Sequence, residues 1–170
     1  NMYSSPFYTG VVAFASEAVV TSLLSKDKDT FVQAVTRADS LNIEDGTAIG
    51  SSILKAASVL LQAPQKRRFI MLFTDGTNNS GDISPRIAAQ RAGLGHIRLY
   101  IVAIGDKKEA SSPAKNAKGG STFIKSPTNI DQDLYTEMAQ STGGEFYRVT
   151  NNDELNEVHA KIREHIRTHI

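Results

Sequence analysis

Residues 68–82 read RFIMLFTDGTNNSGD, an apolar run that ends in an acid and a string of small polar residues. Every position from Phe69 to Phe73 is apolar, so alternating side chains place apolar groups on both faces, as in a strand buried inside a parallel sheet. Strands of this kind present ligands at their carboxyl ends. Asp75 stands at that end, followed by Gly76, Thr77, Asn78 and Asn79.

Downstream, ISPRIAAQRAGL predicts a helix with Ser84 as N-cap and Pro85 at its first position, ended by Gly93 and Gly95. HIRLYIVAIGD follows as another strand with a continuous apolar end at Tyr100–Ile104. Its exit, about Asp106–Ile130, reads as a long loop bearing Lys107, Lys108, Lys115, Lys118 and Lys125. DQDLYTEMAQSTGG predicts a short helix closed by glycine, EFYRVT a strand, and NNDELNEVHAKIREHIRTHI a final amphipathic helix with Leu155, Val158, Ile162 and Ile166 on one face.

Upstream, Thr47–Gln62 carries Ile49, Ile53, Leu54, Ala57, Leu60 and Leu61 at helical spacing and is stopped by Pro64. KDKDTFVQAVTRA predicts a helix with Phe31, Val32 and Val35 on its apolar side. Phe7–Ala15 and Ala18–Leu24, separated by Ser16 and Glu17, read as a tight β-hairpin. Strands alternating with helices after one hairpin give an α/β fold: a Rossmann-like open sheet, mostly parallel with one antiparallel edge strand, and helices on both faces. Asp75 and the Gly105–Ile130 loop should then share one rim.

At 170 residues the chain is one domain by length, with 40% hydrophobic residues, 22% charged residues and a net charge of +1. That balance gives no electrostatic reason to expect nucleic acid. With no cysteine there is no disulfide, zinc-thiolate site or thiol nucleophile, which fits cytoplasm and periplasm equally. No apolar stretch reaches the ~18 residues of a membrane span. The start NMYSSPFYTG lacks the pattern of a signal peptide, and residues 1–6 read as a tail or tag remnant with Met2 behind a purification scar.

From residue chemistry alone, Asp75 has two readings. It is an oxygen ligand for a hard cation, or it caps the following turn. Thr47, at the mouth of a strong helix, is likewise a ligand or an N-cap, and the cap is the stronger of its two readings. His165 and His169 are four apart, but residue 166 is Ile rather than Glu, so they and His159 read as a solvated face. His96 reads as an ordinary surface residue.

Taken in order, GVVAFASEA, IEDGTAIGSSI, FIMLFTDGTNNSGDISP, IRLYIVAIGD and STGGEFYRVTNNDELNEVHAKI resemble a von Willebrand factor type A domain over about Phe7–Ile166. The version most similar is that of bacterial aerotolerance-operon (Bat-type) membrane proteins. The resemblance implies a metal-ion-dependent adhesion site on the carboxyl rim of the sheet, holding Mg2+ (or Mn2+ or Ca2+), with Thr47 and Asp75 as ligands. It implies a non-enzymatic protein-interaction module whose cation takes an acidic residue from a protein partner. Ser16, Glu17, Thr77, Asn78, Asn79, Lys107 and Lys108 form the expected partner-binding rim, and the lysine loop is either solvated or steers an acidic partner. It also implies membrane anchors outside the chain, the domain itself being soluble, with the periplasm as one placement.

The Asp-x-Ser-x-Ser loop that opens the site in this family occurs nowhere in the chain. With it are missing the first strand, which the resemblance places between Gly10–Ala15 and Phe69–Phe73, and the first helix. The domain, residues 7–170, is therefore read as truncated, with weak or absent metal binding. Three outcomes are open for the gap: the flanking strands pair directly, a second copy fills it as a homo-oligomer, or the full-length protein supplies the segment. Direct pairing or self-association is favoured. A metal-independent scaffold, binding through the sheet edge and the lysine loop, is the alternative function. FTDGT also resembles haloacid-dehalogenase phosphatases, but their nucleophile position is Phe73, which cannot accept a phosphoryl group.

Overall fold

The computed structural model describes residues 4–105, 110–115, 121–126 and 130–169, with the backbone alone at 4–6, 110–115, 121–126 and 169. The chain opens with the expected hairpin: β1 (Ser4–Phe14) and β2 (Ala18–Asp27) pair antiparallel from Phe14 opposite Ala18 out to Ser4 opposite Asp27. Helix α1 (Lys28–Asp39) starts at Asp27, whose carboxylate accepts from the amides of Asp29 and Thr30. Helix α2 (Ile49–Leu61) precedes β3 (Arg68–Thr74), and α3 (Pro85–Leu94) precedes β4 (Ile97–Ile104). The stretch expected as a loop contains an antiparallel pair, β5 (Ala110–Lys115) and β6 (Ser121–Ser126). Helix α4 (Gln132–Ser141), β7 (Phe146–Val149) and α5 (Asn152–His169) complete the order.

Strands β3, β4 and β7 form a parallel sheet in that spatial order. Central β4 explains its own sequence: Leu99, Ile101 and Ala103 face one layer while Tyr100 and Val102 face the other, and all are fully buried. The first layer is closed by α2, α3 and α4 through Ile53, Ala57, Ala88, Ala92, Met138 and Ala139. The second is closed by α5 through Val158, Ile162 and Ile166, the stripe its periodicity predicts. Each fully buried Ile or Val here stabilises the fold by roughly 1.5–3 kcal/mol.

Strand β3 departs from the sequence reading. Ile70 and Leu72 are buried in the first layer, but Phe69 and Met71 are half-buried and Phe73 is 44% exposed. Its second face borders a cleft of about 210 Å³ lined by Met71, Phe73, Leu155, Val158 and His159. Helix α1 shows the same shortage of cover: it buries Ala34, while Phe31, Val32 and Val35, expected to face inward, are 42%, 59% and 47% exposed. Apolar side chains were chosen for burial at both places, and no described element covers them.

The favoured direct pairing of β1 with β3 does not occur. Among the described residues the β1–β2 hairpin and the β3–β4–β7 sheet are separate, so one edge of β1 and one edge of β3 carry no strand partner. Helix α2 holds the two parts together by packing on β1, β2 and β3. On the other face Phe7 meets Phe69 edge to face at 5.9 Å, Phe69 meets Tyr100 at 6.5 Å, and Tyr100 meets His165 at 5.6 Å. His165 is accordingly not on a solvated face: its side chain is 19% exposed, with Nδ1 3.2 Å from Glu145 Oε1. His159 is exposed, as expected.

Candidate functional site

The rim at the carboxyl end of β3 is built by a turn that the chain pins from three sides. Thr74, buried at the last strand position, donates through Oγ1 to the Gly76 carbonyl at 3.2 Å. Tyr135, fully buried on α4, donates its hydroxyl to the same carbonyl at 2.7 Å. Burial, with help from the Asp131 charge, pushes the Tyr135 hydroxyl up to about 12. A folded-state value above the unfolded one gives stability that is present below about pH 10 and is lost as pH rises through about 12. Tyr135→Phe should therefore flatten the fall in stability over that window and cost ~1 kcal/mol at neutral pH, read by urea denaturation at each pH.

The third side is α2. Its N-cap position is Ala48, which has no side chain to cap with, and Thr47 makes no capping bond. The N-cap reading of Thr47 is thus corrected. The orphan amides of Ile49 and Gly50 instead donate to Asn78 Oδ1, at 2.9 and 3.5 Å. Asn79 Oδ1 accepts from the Thr47 amide at 2.7 Å, and the Asn79 amide donates to the Thr47 carbonyl at 3.2 Å. A helix cap supplied from another loop has no local sequence signature, so it was missed. Asn78→Ala should cost ~1 kcal/mol in denaturation, by the ordinary worth of a cap.

This stitching sets Thr47 beside the β3 turn: a Cβ placed on Gly76 would lie 3.9 Å from Thr47 Oγ1. Asp75 is exposed next to it, and neither its carboxylate nor the Thr47 hydroxyl takes part in a hydrogen bond or ion pair among the described residues. Asp75 caps nothing among the described residues; the N-cap position of α3 is Ser84, as expected, though its side chain makes no capping bond. Ser16 reaches the same rim, its amide donating to the Glu44 carbonyl at 3.1 Å, and Gly46 closes it, its φ of +155° allowing Ser16 and Ser80 to approach where a Cβ would stand. Glu17 is exposed in the β1–β2 turn, and Thr77 is half-buried in the β3 turn. Lys107 and Lys108 lie outside the described residues. Among the described residues no group of three or more His, Cys, Asp or Glu side chains is close enough to hold a metal ion.

A parallel sheet with its polar rim at the strand ends, capped helices behind it and an antiparallel hairpin alongside can be compared with known proteins. The family model of the von Willebrand factor type A domain matches residues 5–161. The chain belongs to that family. Domains of this type are generally non-enzymatic modules of protein interaction. An uncharacterized protein of Borreliella burgdorferi is 29% identical over 86% of this chain and 42% of its own length. An aerotolerance-related membrane protein of Bacteroides fragilis, solved with multiple mutations to serines, is 20% identical with a TM-score of 0.67, covering 96% of this chain and 80% of that one. Proximal thread matrix protein 1 of the mussel byssus, solved with a zinc-occupied adhesion-site motif, is 18% identical with a TM-score of 0.63, covering 94% of this chain and 35% of that one. These two share the fold. The vWA chain spans about half the length of the curated relatives it matches. No described helix is long and apolar enough to cross a membrane.

Proposed function

We propose that this vWA domain is a protein-interaction module whose Thr47 and Asp75 are part of the ligand set of a divalent cation. The observation that carries the reading is that these two oxygen donors lie beside one turn and bond to nothing among the described residues, while Asn78 and Asn79 next to them are spent holding the turn to α2. One hydroxyl and one carboxylate fit a hard cation such as Mg2+ or Mn2+ but leave most of its shell to water, so this chain alone binds it weakly. The remaining protein donors come from a segment preceding residue 1, whose strand fills the gap between β1 and β3 and whose helix covers Phe73, Val32 and Val35. When bound, the cation supplies a positive charge with an open position for a carboxylate of the partner protein.

Ser16, Glu17 and Thr77 then border the contact, with Lys107 and Lys108 adding charge that favours an acidic partner. The relatedness to a membrane protein supports a domain held at a bacterial membrane by anchors elsewhere in the full protein, the periplasm being one such placement. The reading assigns no catalytic residue. A second reading, a metal-independent scaffold that pairs through the open edges of β1 and β3 with a second copy or partner, is favoured by those edges alone.

Asp75→Ala separates the two. Under the cation reading it weakens Mn2+ binding, read by paramagnetic resonance on the protein extended upstream, at least about 100-fold, since even residues behind the ligands are worth tenfold to a hundredfold. Under the scaffold reading, association in EDTA equals that in Mg2+, and Asp75→Ala changes neither.

A further inference from the structure

At the pole opposite the rim, the amino-terminal ends of the parallel strands enclose a cavity of about 320 Å³ lined by Lys66, Arg67, Arg68, His96, Arg98 and Thr142. The register gathers them: Arg68 pairs with Ile97 and Phe69 with Arg98, so the residues entering β3 and β4 reach one level. Thr142, at the end of α4, closes the wall, its Oγ1 accepting from the Leu99 amide and donating to the Ala139 carbonyl, each at 2.8 Å. Among the described residues the lining contains no Asp or Glu, in a chain whose whole net charge is +1. A concave surface lined by side chains of one sign attracts ions of the other.

Two guanidinium groups are already positioned. Arg68 Nη2 donates to the Ala63 carbonyl at 3.0 Å, and Arg98 Nη1 donates to the Gly143 carbonyl at 3.5 Å. The Arg68 Nε–H, in contrast, is buried with no hydrogen-bond partner among the described residues. A buried charged donor left unmatched is costly, and Arg68 is among the residues that line the cavity. Lys66, Arg67 and His96 are exposed around it, so the cavity is reachable from solvent. His96 holds a φ of +53° at the turn into β4, a conformation rare for a residue with a side chain, and so takes its place in the wall.

We propose that this pocket binds a phosphate group, carried on a soluble phosphate compound or on an anionic lipid headgroup. Tetrahedral phosphate offers several acceptor oxygens, which suits forked guanidinium donors and a lysine converging from different strands better than a single carboxylate does. The cavity also leaves room for whatever carries the phosphate. The site is independent of the cation rim, and its failure would leave that reading standing.

The test titrates inorganic phosphate into the 15N-labelled chain and, in parallel, sediments the chain with vesicles of phosphatidylglycerol in phosphatidylcholine or of phosphatidylcholine alone. Saturable shifts of the amides of residues 66–68 and 96–98 are expected with phosphate. Binding should weaken about tenfold for each charge-assisted hydrogen bond removed. The variants are Arg68→Gln and the double Lys66→Gln/Arg67→Gln, whose exposed side chains spare the fold; the charge-matched control Lys55→Gln/Arg163→Gln should bind as the unaltered chain. Phosphate binding without vesicle binding identifies a soluble compound. Vesicle binding that needs phosphatidylglycerol and the pocket residues identifies a lipid headgroup. Either sustains the proposal. No saturable response to either probe, or equal weakening by the control, overturns it.

Discussion

Replacing Gly50 with alanine is expected to lower stability by about 3 kcal/mol, at the upper end for overpacking a closed site. The usual sign is the reverse, since alanine in a helix is favoured over glycine by ~1 kcal/mol. Here a Cβ at residue 50 would stand 2.0 Å from the Ile83 carbonyl oxygen and 2.8 Å from its carbon, both backbone atoms that cannot rotate away. Helix α2 and the 78–84 loop must separate to admit it, and Asn78 would lose the Ile49 and Gly50 amides as they do. Gly93→Ala in α3 is the control: its Cβ would meet nothing closer than 3.5 Å and should be neutral or stabilising. Denaturation midpoints of the two variants decide the matter. An unchanged or raised midpoint for Gly50→Ala would mean that α2 does not lie against residue 83.

Extending the protein upstream is expected to stabilise it by roughly 5 kcal/mol, if the added chain inserts as a strand between β1 and β3. Several hydrogen bonds to two unpaired edges, each worth roughly 0.5–1.5 kcal/mol net, give that scale before the burial of Phe73 and Met71 is counted. Side chains and amides alternate along a strand, so β3 pairs with β4 through every second residue and leaves the others open. Hydrogen exchange should accordingly be fast at alternate β3 amides in this chain and slow at all of them in the extended protein. Protection already complete in the isolated chain at high dilution would show the edge to be covered in some other way. Protection that appears only as concentration rises would assign the edge to a second copy.

Period and punctuation carried most of the fold. The runs at Phe69–Phe73 and Tyr100–Ile104, the Ser84–Pro85 start, and the Leu155, Val158, Ile162 and Ile166 stripe each became the element their spacing implies. The misses share one cause, which is that burial and capping depend on distant chain. Phe73, Val32 and Val35 carry the composition of covered residues but are left open, because the cover they were selected against is not among the described residues. Asn78 caps a helix 29 residues before it, a relation that no local window contains. His165 looks polar in a terminal helix, yet the ring of Tyr100 on β4 draws it inward. At the site, Asp75 and Thr47 were readable as ligand types, whereas their adjacency depends on the Asn78 and Asn79 bonds and could not be read from spacing. The basic pocket was invisible for the same reason: its residues come from segments about 30 positions apart that only the parallel register aligns.

Asp75 and Thr47 are proposed as ligands of a cation site whose remaining donors lie upstream. Calorimetric titration of Mg2+ and Mn2+ into this chain, and into the protein extended through the Asp-x-Ser-x-Ser loop expected before it, decides whether they are. Saturable binding by the extended protein, little or none by this chain, and loss on Asp75→Ala is the predicted result. Failure of the extended protein to bind either ion, or binding that survives Asp75→Ala unchanged, would contradict it.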